Sequence, residues 1–183
     1  TTLTGIVLDD MYGVHGKMPW GSTSDEVNNV SDWYNNNGWV HFLTQAAYGL
    51  HLQIHGTYLT GNALPSIFPK ECRITRLSIA DAPYLGGIIS PTISNCKIGV
   101  LKLRNVSMLH GDFPSKEICN MCDLKDLIID GYHNFTRSSI AWFRENCTST
   151  IHEDICRAKN ELIWKKGEFR WEVCYSGDCK YIY

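Results

Sequence analysis

Cysteine is the residue type with the most chemical potential in this sequence. Metal ligation, thiol redox chemistry and disulfide bonding are open to it. Cys119 and Cys122 form a CxxC pair, but a zinc site needs a second such pair or two histidines at matching spacing, and neither follows. A thioredoxin-like redox motif needs a βαβ setting, whereas the repeat described below predicts a solenoid coil around this pair. We therefore predict disulfides for all eight cysteines, which are Cys72, Cys96, Cys119, Cys122, Cys147, Cys156, Cys174 and Cys179.

Carboxylates offer a second chemistry. Asp81 and Asp130 each follow an apolar strand pattern by a residue or two, and paired carboxylates could act as acid and base on a glycan. Polar residues also mark every point where a chain leaves its core, and we favour this interpretation. The sequence contains no G-x-S-x-G, no G-x-x-x-x-G-K-[ST] and no H-E-x-x-H. We predict no catalytic residues, cofactor or metal site, and keep a secreted glycan-active hydrolase as an alternative.

Composition and charge narrow the classes of partner. The chain of 183 residues is 44% apolar and 20% charged with a net charge of −2, which argues against disorder and against binding to nucleic acid or an anionic membrane. No stretch approaches the ~20 apolar residues that span a bilayer, so direct membrane insertion is not expected. The chain begins at Thr1 without a basic and apolar leader, and we interpret it as a mature or excised segment.

Glycosylation sequons support an extracellular setting. Four Asn-x-Ser/Thr motifs occur, at Asn29, Asn105, Asn134 and Asn146. Together with the cysteines they predict a secreted glycoprotein, or one displayed on a cell or virion surface.

An apolar triplet recurs along the chain. The pattern Leu-x-x-Leu-x-Leu, with isoleucine variants, occupies 3–8, 74–79, 98–103 and 124–129, with a weaker copy at 50–54. The last anchors, Ile54, Ile79, Leu103 and Ile129, are separated by 25, 24 and 26 residues. Alternating anchors predict a short strand in each copy, and stacked copies predict a parallel sheet. Glycine follows the last anchor by eight residues in three copies and predicts a corner at Gly16, Gly87 and Gly111. Cysteines at an equal offset from the repeat predict one column of thiols, formed by Cys72, Cys96 and Cys122.

The repeat resembles the plant-type leucine-rich repeat, and its best copy runs from Ile98 to Pro114. The asparagine position of that consensus is poorly kept, and one extra residue precedes the glycine. The resemblance implies a solenoid that recognises its partner on the sheet face. We therefore predict a mainly β fold: an irregular β-solenoid of leucine-rich-repeat-like, ~25-residue coils with a disulfide-stapled α+β C-terminal cap.

Two regions depart from the repeat. The predicted body is 1–137, with an irregular segment at 21–49, and the predicted cap is 138–183. In the cap we expect helices at 139–146 and 151–165, and a hairpin that places Cys174 opposite Cys179. Cys147 and Cys156 could staple the two helices.

The outward-facing strand residues form the predicted binding surface. Rigid display of one residue per repeat suits a protein or peptide partner. The predicted binding residues are Gln53, Ser78 and Lys102 in a central row, with Arg76 and Asp126 beside them. Aromatic residues in 20–39 and in the hairpin are rival surfaces, and a glycan is a further ligand class.

The favoured function is an extracellular recognition domain or surface glycoprotein domain. The alternative setting is the head domain of a viral or pathogen envelope glycoprotein. An uncovered first strand would be an association site, so we expect homo-oligomerisation through the N-terminal edge or a segment that covers it.

Overall fold

A computed structural model describes residues 5–8, 10, 13, 15–18, 49–70, 72–131, 133–158, 170–175 and 178–182. These residues form two sheets with short helices between strands. The irregular segment predicted at 21–49 lies outside the described residues, apart from Gly49.

The larger sheet has seven strands in the order β1-β3-β5-β7-β9-β11-β12. All neighbours pair in parallel except the last two, which form the predicted antiparallel hairpin. Strand β1 therefore lies at one edge of the described sheet. The strands are β1 (Gly5–Leu8), β3 (Leu50–His55), β5 (Ile74–Ala80), β7 (Val100–Arg104), β9 (Asp126–Asp130), β11 (Arg170–Tyr175) and β12 (Asp178–Ile182).

The apolar triplets align across this sheet as the sequence predicts. Ile79 pairs with Leu103, and Leu103 pairs with Ile129, on neighbouring parallel strands. All three side chains are buried. Because alternate residues of a strand point to the same side, one face of each strand joins a continuous core.

The smaller sheet has five short strands in the order β10-β8-β6-β4-β2, with parallel pairing throughout. Gly87 and Gly111 close two of these strands with φ of 85° and 81°, a conformation that strongly favours glycine. This confirms two of the predicted glycine corners. The strands are β2 (His15–Lys17), β4 (Tyr58–Asn62), β6 (Leu85–Gly87), β8 (Met108–Gly111) and β10 (Asn134–Phe135).

Helices connect the two sheets. They are a 3-10 helix (Pro91–Asn95), α1 (Ser115–Cys119), α2 (Arg137–Asn146) and α3 (Ser149–Ala158). The predicted helix at 139–146 is confirmed, with Ile140 and Phe143 buried. The second predicted helix begins at Ser149, and 159–169 lie outside the described residues.

The predicted fold class is wrong. The chain has two parallel sheets with short helices, an α/β-like arrangement, and no closed solenoid is seen in the part of the chain that the structure describes. The sequence pattern revealed only one strand per repeat, because β4, β6, β8 and β10 each bury one large apolar side chain and so show no apolar alternation. The hairpin also joins the large sheet through β11 and β9.

Disulfides link neighbouring segments of the fold. Cys72 bonds Cys96, Cys119 bonds Cys147 and Cys122 bonds Cys156. The suggested Cys147–Cys156 disulfide is therefore wrong: these two cysteines bond to Cys119 and Cys122 of the CxxC pair instead. Cys174 is also disulfide-bonded, and the hairpin register places Cys179 opposite it. These bonds indicate an oxidising, extracellular-type environment.

No helix among the described residues combines the length and apolar character needed to span a bilayer.

Candidate recognition face

The structure brings the predicted binding residues together. Gln53 pairs with Ser78, and Ser78 with Lys102, along the central outward row of the seven-stranded sheet. Arg76 and Asp126 share the adjacent row, on either side of Val100. We call these five residues, Gln53, Arg76, Ser78, Lys102 and Asp126, the recognition face.

Exposure varies strongly along the central row. Val7 on β1 is 57% exposed, whereas Ile128 on β9 is 1% and Glu172 on β11 is 8% exposed. The outer face is therefore open at the β1 end and covered at the β11 end. The sequence pattern treated this row as uniformly outward, and it contains no signal for the cover because alternation reports only the direction of a side chain.

Ser78 is the least accessible member of the recognition face, at 7% exposure. Its hydroxyl lies 2.9 Å from His55 Nε2, on the neighbouring strand. This contact satisfies the buried hydroxyl, so Ser78 helps to fix the face rather than presenting a free donor.

Lys102 and Asp126 form an ion pair, with Lys102 Nζ 2.6 Å from Asp126 Oδ2. The two side chains retain 30% and 24% exposure. The other carboxylate oxygen, Oδ1, is buried and has no hydrogen-bond partner among the residues that the structure describes. The pair gives the centre of the face a fixed charge pattern, since the cation on β7 is held against the anion on β9.

The two carboxylates weighed for glycan hydrolysis serve the chain itself. Asp81 Oδ1 accepts a hydrogen bond from Asn105 Nδ2 at 2.8 Å, and Asp130 Oδ1 accepts one from the backbone N–H of Gly131 at 2.6 Å. Asp81 and Asn105 have φ of 49°, so their side chains stabilise left-handed corners of the backbone. No cluster of three or more metal-ligating side chains is found among the described residues.

His133 connects a corner to the hairpin. Its Nε2–H donates to the carbonyl of Cys174 at 2.8 Å, and its ring lies 4.7 Å from that of Phe135. Burial lowers the pKa of His133 from 6.5, because the protonated ring would lose hydration, and the hydrogen bond to Cys174 and the charge of Asp130 oppose the shift in part.

The structure describes three of the four sequons, and it describes Trp171 of the hairpin but not the aromatic residues of 20–39. Asn105, Asn134 and Asn146 are exposed, whereas Asn29 lies outside the described residues. The aromatic residues of 20–39 also lie outside them. Trp171 of the hairpin is fully buried and stacks on Phe143 at 5.4 Å, so it belongs to the core.

Comparison of the chain with models of protein families, with curated proteins and with solved structures finds no match.

Proposed function

We propose that the chain is a recognition domain of an extracellular-type glycoprotein, and that it binds a protein partner through the recognition face. The observation that carries this proposal is the convergence of an amide, two cations and a carboxylate on adjacent parallel strands, around the buried Ser78 hydroxyl. Parallel strands are spaced at about 4.8 Å, so the polar groups form a regular grid with little freedom to lose on binding.

The open end of the face is the expected contact region. Arg76 is exposed and Gln53 is half-buried, while the Lys102–Asp126 ion pair lies beside them. Arginine is enriched where interfaces gain most of their binding energy. Arg76 is therefore the residue whose replacement should weaken binding most.

A photocrosslinking experiment tests the face directly. A photoreactive phenylalanine at Gln53 should capture a partner from extracellular membrane preparations, and excess wild-type domain should compete, while Arg76→Glu should compete poorly. Met108 is the matched control, because it is 54% exposed on the smaller sheet. Equal capture from both positions, or full competition by Arg76→Glu, would show that another surface binds.

Glycosylation belongs to the same proposal. The exposed side chains of Asn105, Asn134 and Asn146 are accessible to the modifying enzymes. Protein secreted from eukaryotic cells should lose mass on treatment with a peptide N-glycosidase. An unchanged mass would remove the glycoprotein part of the proposal and leave the recognition face to be tested separately.

A further inference from the structure

A basic pocket lies where the chain enters the strands of the larger sheet, and none of its described lining residues belongs to the recognition face. Its volume is about 540 Å³, within the range of ~300–1,000 Å³ typical of pockets that hold small ligands. The described residues that line it are Gly49, Lys70, Cys72, Arg73, Thr75, Asn95 and Lys97.

The charge of this pocket is one-sided. Lys70, Arg73 and Lys97 are exposed cations, and the described lining residues include no carboxylate. None of the three makes an ion pair in the described part of the chain, where the ion pair seen joins Lys102 to Asp126. Three cations around one cavity, without an anionic partner among the described residues, repel each other, and a bound anion would relieve that repulsion. Glu71 lies outside the described residues.

The two segments that supply the cations are held together covalently. Arg73 directly follows Cys72 and Lys97 directly follows Cys96, and these cysteines form a disulfide with a Cα–Cα distance of 4.6 Å. Asn95 Nδ2 also donates a hydrogen bond to the carbonyl of Phe68 at 2.9 Å. This bond holds the backbone segment that leads to Lys70 against the segment that carries Lys97. The positive charges are therefore clustered before any ligand arrives, which lowers the cost of binding.

We propose that this pocket binds a sulfated glycan. Arginine and lysine form charge-assisted hydrogen bonds to sulfate oxygens as they do to other oxyanions, and the Thr75 hydroxyl adds a neutral donor. The disulfides indicate an extracellular-type environment, and sulfated polysaccharides are polyanions of that environment. The proposal is independent of the recognition face, which lies on the outward side of the strands.

Binding of a heparin hexasaccharide to the intact glycosylated domain tests the site. Affinity is measured at about 0.15 M salt, where exposed long-range charge effects are largely screened. The Arg73→Gln/Lys97→Gln variant should bind about tenfold more weakly or worse, because two charged hydrogen-bond donors are lost. The matched control is Lys116→Gln/Arg137→Gln, which removes the same charge from exposed positions elsewhere and should leave affinity nearly unchanged.

Two further ligands test whether the pocket recognises the sulfate groups of the glycan. The desulfated hexasaccharide should fail to bind, and inorganic sulfate should compete only weakly because it fills one subsite. Equal losses in both variants, equal affinity for desulfated sugar, or no binding of the hexasaccharide would overturn the proposal. Thermal unfolding verifies the fold of each variant, and Lys70→Gln/Lys97→Gln replaces the first variant if that one is unstable.

Discussion

Lys102 Nζ on β7 lies 2.6 Å from Asp126 Oδ2 on β9, while Oδ1 of the same carboxylate is buried without a hydrogen-bond partner in the described part of the chain. The ion pair thus links two neighbouring strands through one of the two carboxylate oxygens. Its contribution to stability is the small difference between the attraction of the charges and the cost of partly dehydrating them.

A double-mutant cycle should measure that difference. Lys102→Met, Asp126→Asn and the double variant should give a coupling free energy of about 0.5–1 kcal/mol, because both side chains keep some contact with water. The measurement is urea denaturation of all four proteins. The coupling should shrink at high salt, where charges are screened. Zero coupling at low salt would mean that the pair only positions the face.

The parallel stacking of the large sheet was predictable from sequence, whereas the fold class was not. Ile79, Leu103 and Ile129 recur at a regular interval because each fills an equivalent place in the core, so the interval reports their alignment. The strands Tyr58–Asn62, Leu85–Gly87, Met108–Gly111 and Asn134–Phe135 each bury one large apolar side chain. A single apolar residue per strand shows no alternation, so the smaller sheet was missed.

The candidate sites were likewise predictable only in part from the sequence. Alternation placed Gln53 and Lys102 on one face correctly, since side-chain direction follows from strand geometry. It gave no information on the burial of Ile128, because alternation reports the direction of a side chain and not what covers it. The basic pocket had only a weak sequence signal, a basic residue after each of Cys72 and Cys96, and its meaning depends on those cysteines bonding to each other.

Removing the Cys72–Cys96 disulfide should destabilise the domain. The bond closes a separation of 24 residues, and loops of this size correspond to about 3 kcal/mol of lost entropy in the unfolded chain. Urea denaturation of Cys72→Ala/Cys96→Ala against the wild type measures the loss. The companion variant Cys122→Ala/Cys156→Ala should lose at least as much, because its separation is 34 residues.

The unmodified protein provides the reference for this comparison. Thiol titration of the native domain should find no reactive thiol at the described cysteines, none of which is free. A loss below about 1 kcal/mol for the Cys72 and Cys96 variant would mean that these segments stay together without the bond.

Gly131 should not tolerate a side chain. Its φ is +87°, and an added Cβ would lie 2.8 Å from the backbone nitrogen of Asn105 and also clash with the Asn105 side chain. Gly131→Ala should therefore cost about 2 kcal/mol or more in unfolding free energy, because strain and steric overlap add. Gly13→Ala is the control, since no described residue lies within 4 Å of the position that its new methyl group would take. Similar stability of the two variants would contradict the tight approach of the two corners.

Acidification should weaken the fold through His133. Burial lowers the pKa of this histidine in the folded chain below the value of 6.5 expected when unfolded. Below pH 6.5 the unfolded chain therefore binds a proton that the folded chain does not, and stability falls as pH decreases towards the folded pKa. Well above pH 6.5 His133 is neutral in both the folded and the unfolded chain, so its effect on stability no longer changes with pH.

Replacement by glutamine isolates this effect. The new side chain in His133→Gln would not titrate but would retain an N–H group able to donate to the Cys174 carbonyl, the acceptor that His133 uses at 2.8 Å. Thermal unfolding of both proteins between pH 7.5 and about 5 should therefore show a steeper loss for the wild type. Parallel pH profiles would assign the acid sensitivity to other groups. A wild type that gains stability on acidification would mean that the pKa of His133 is raised on folding, because only then would the folded chain bind the additional proton.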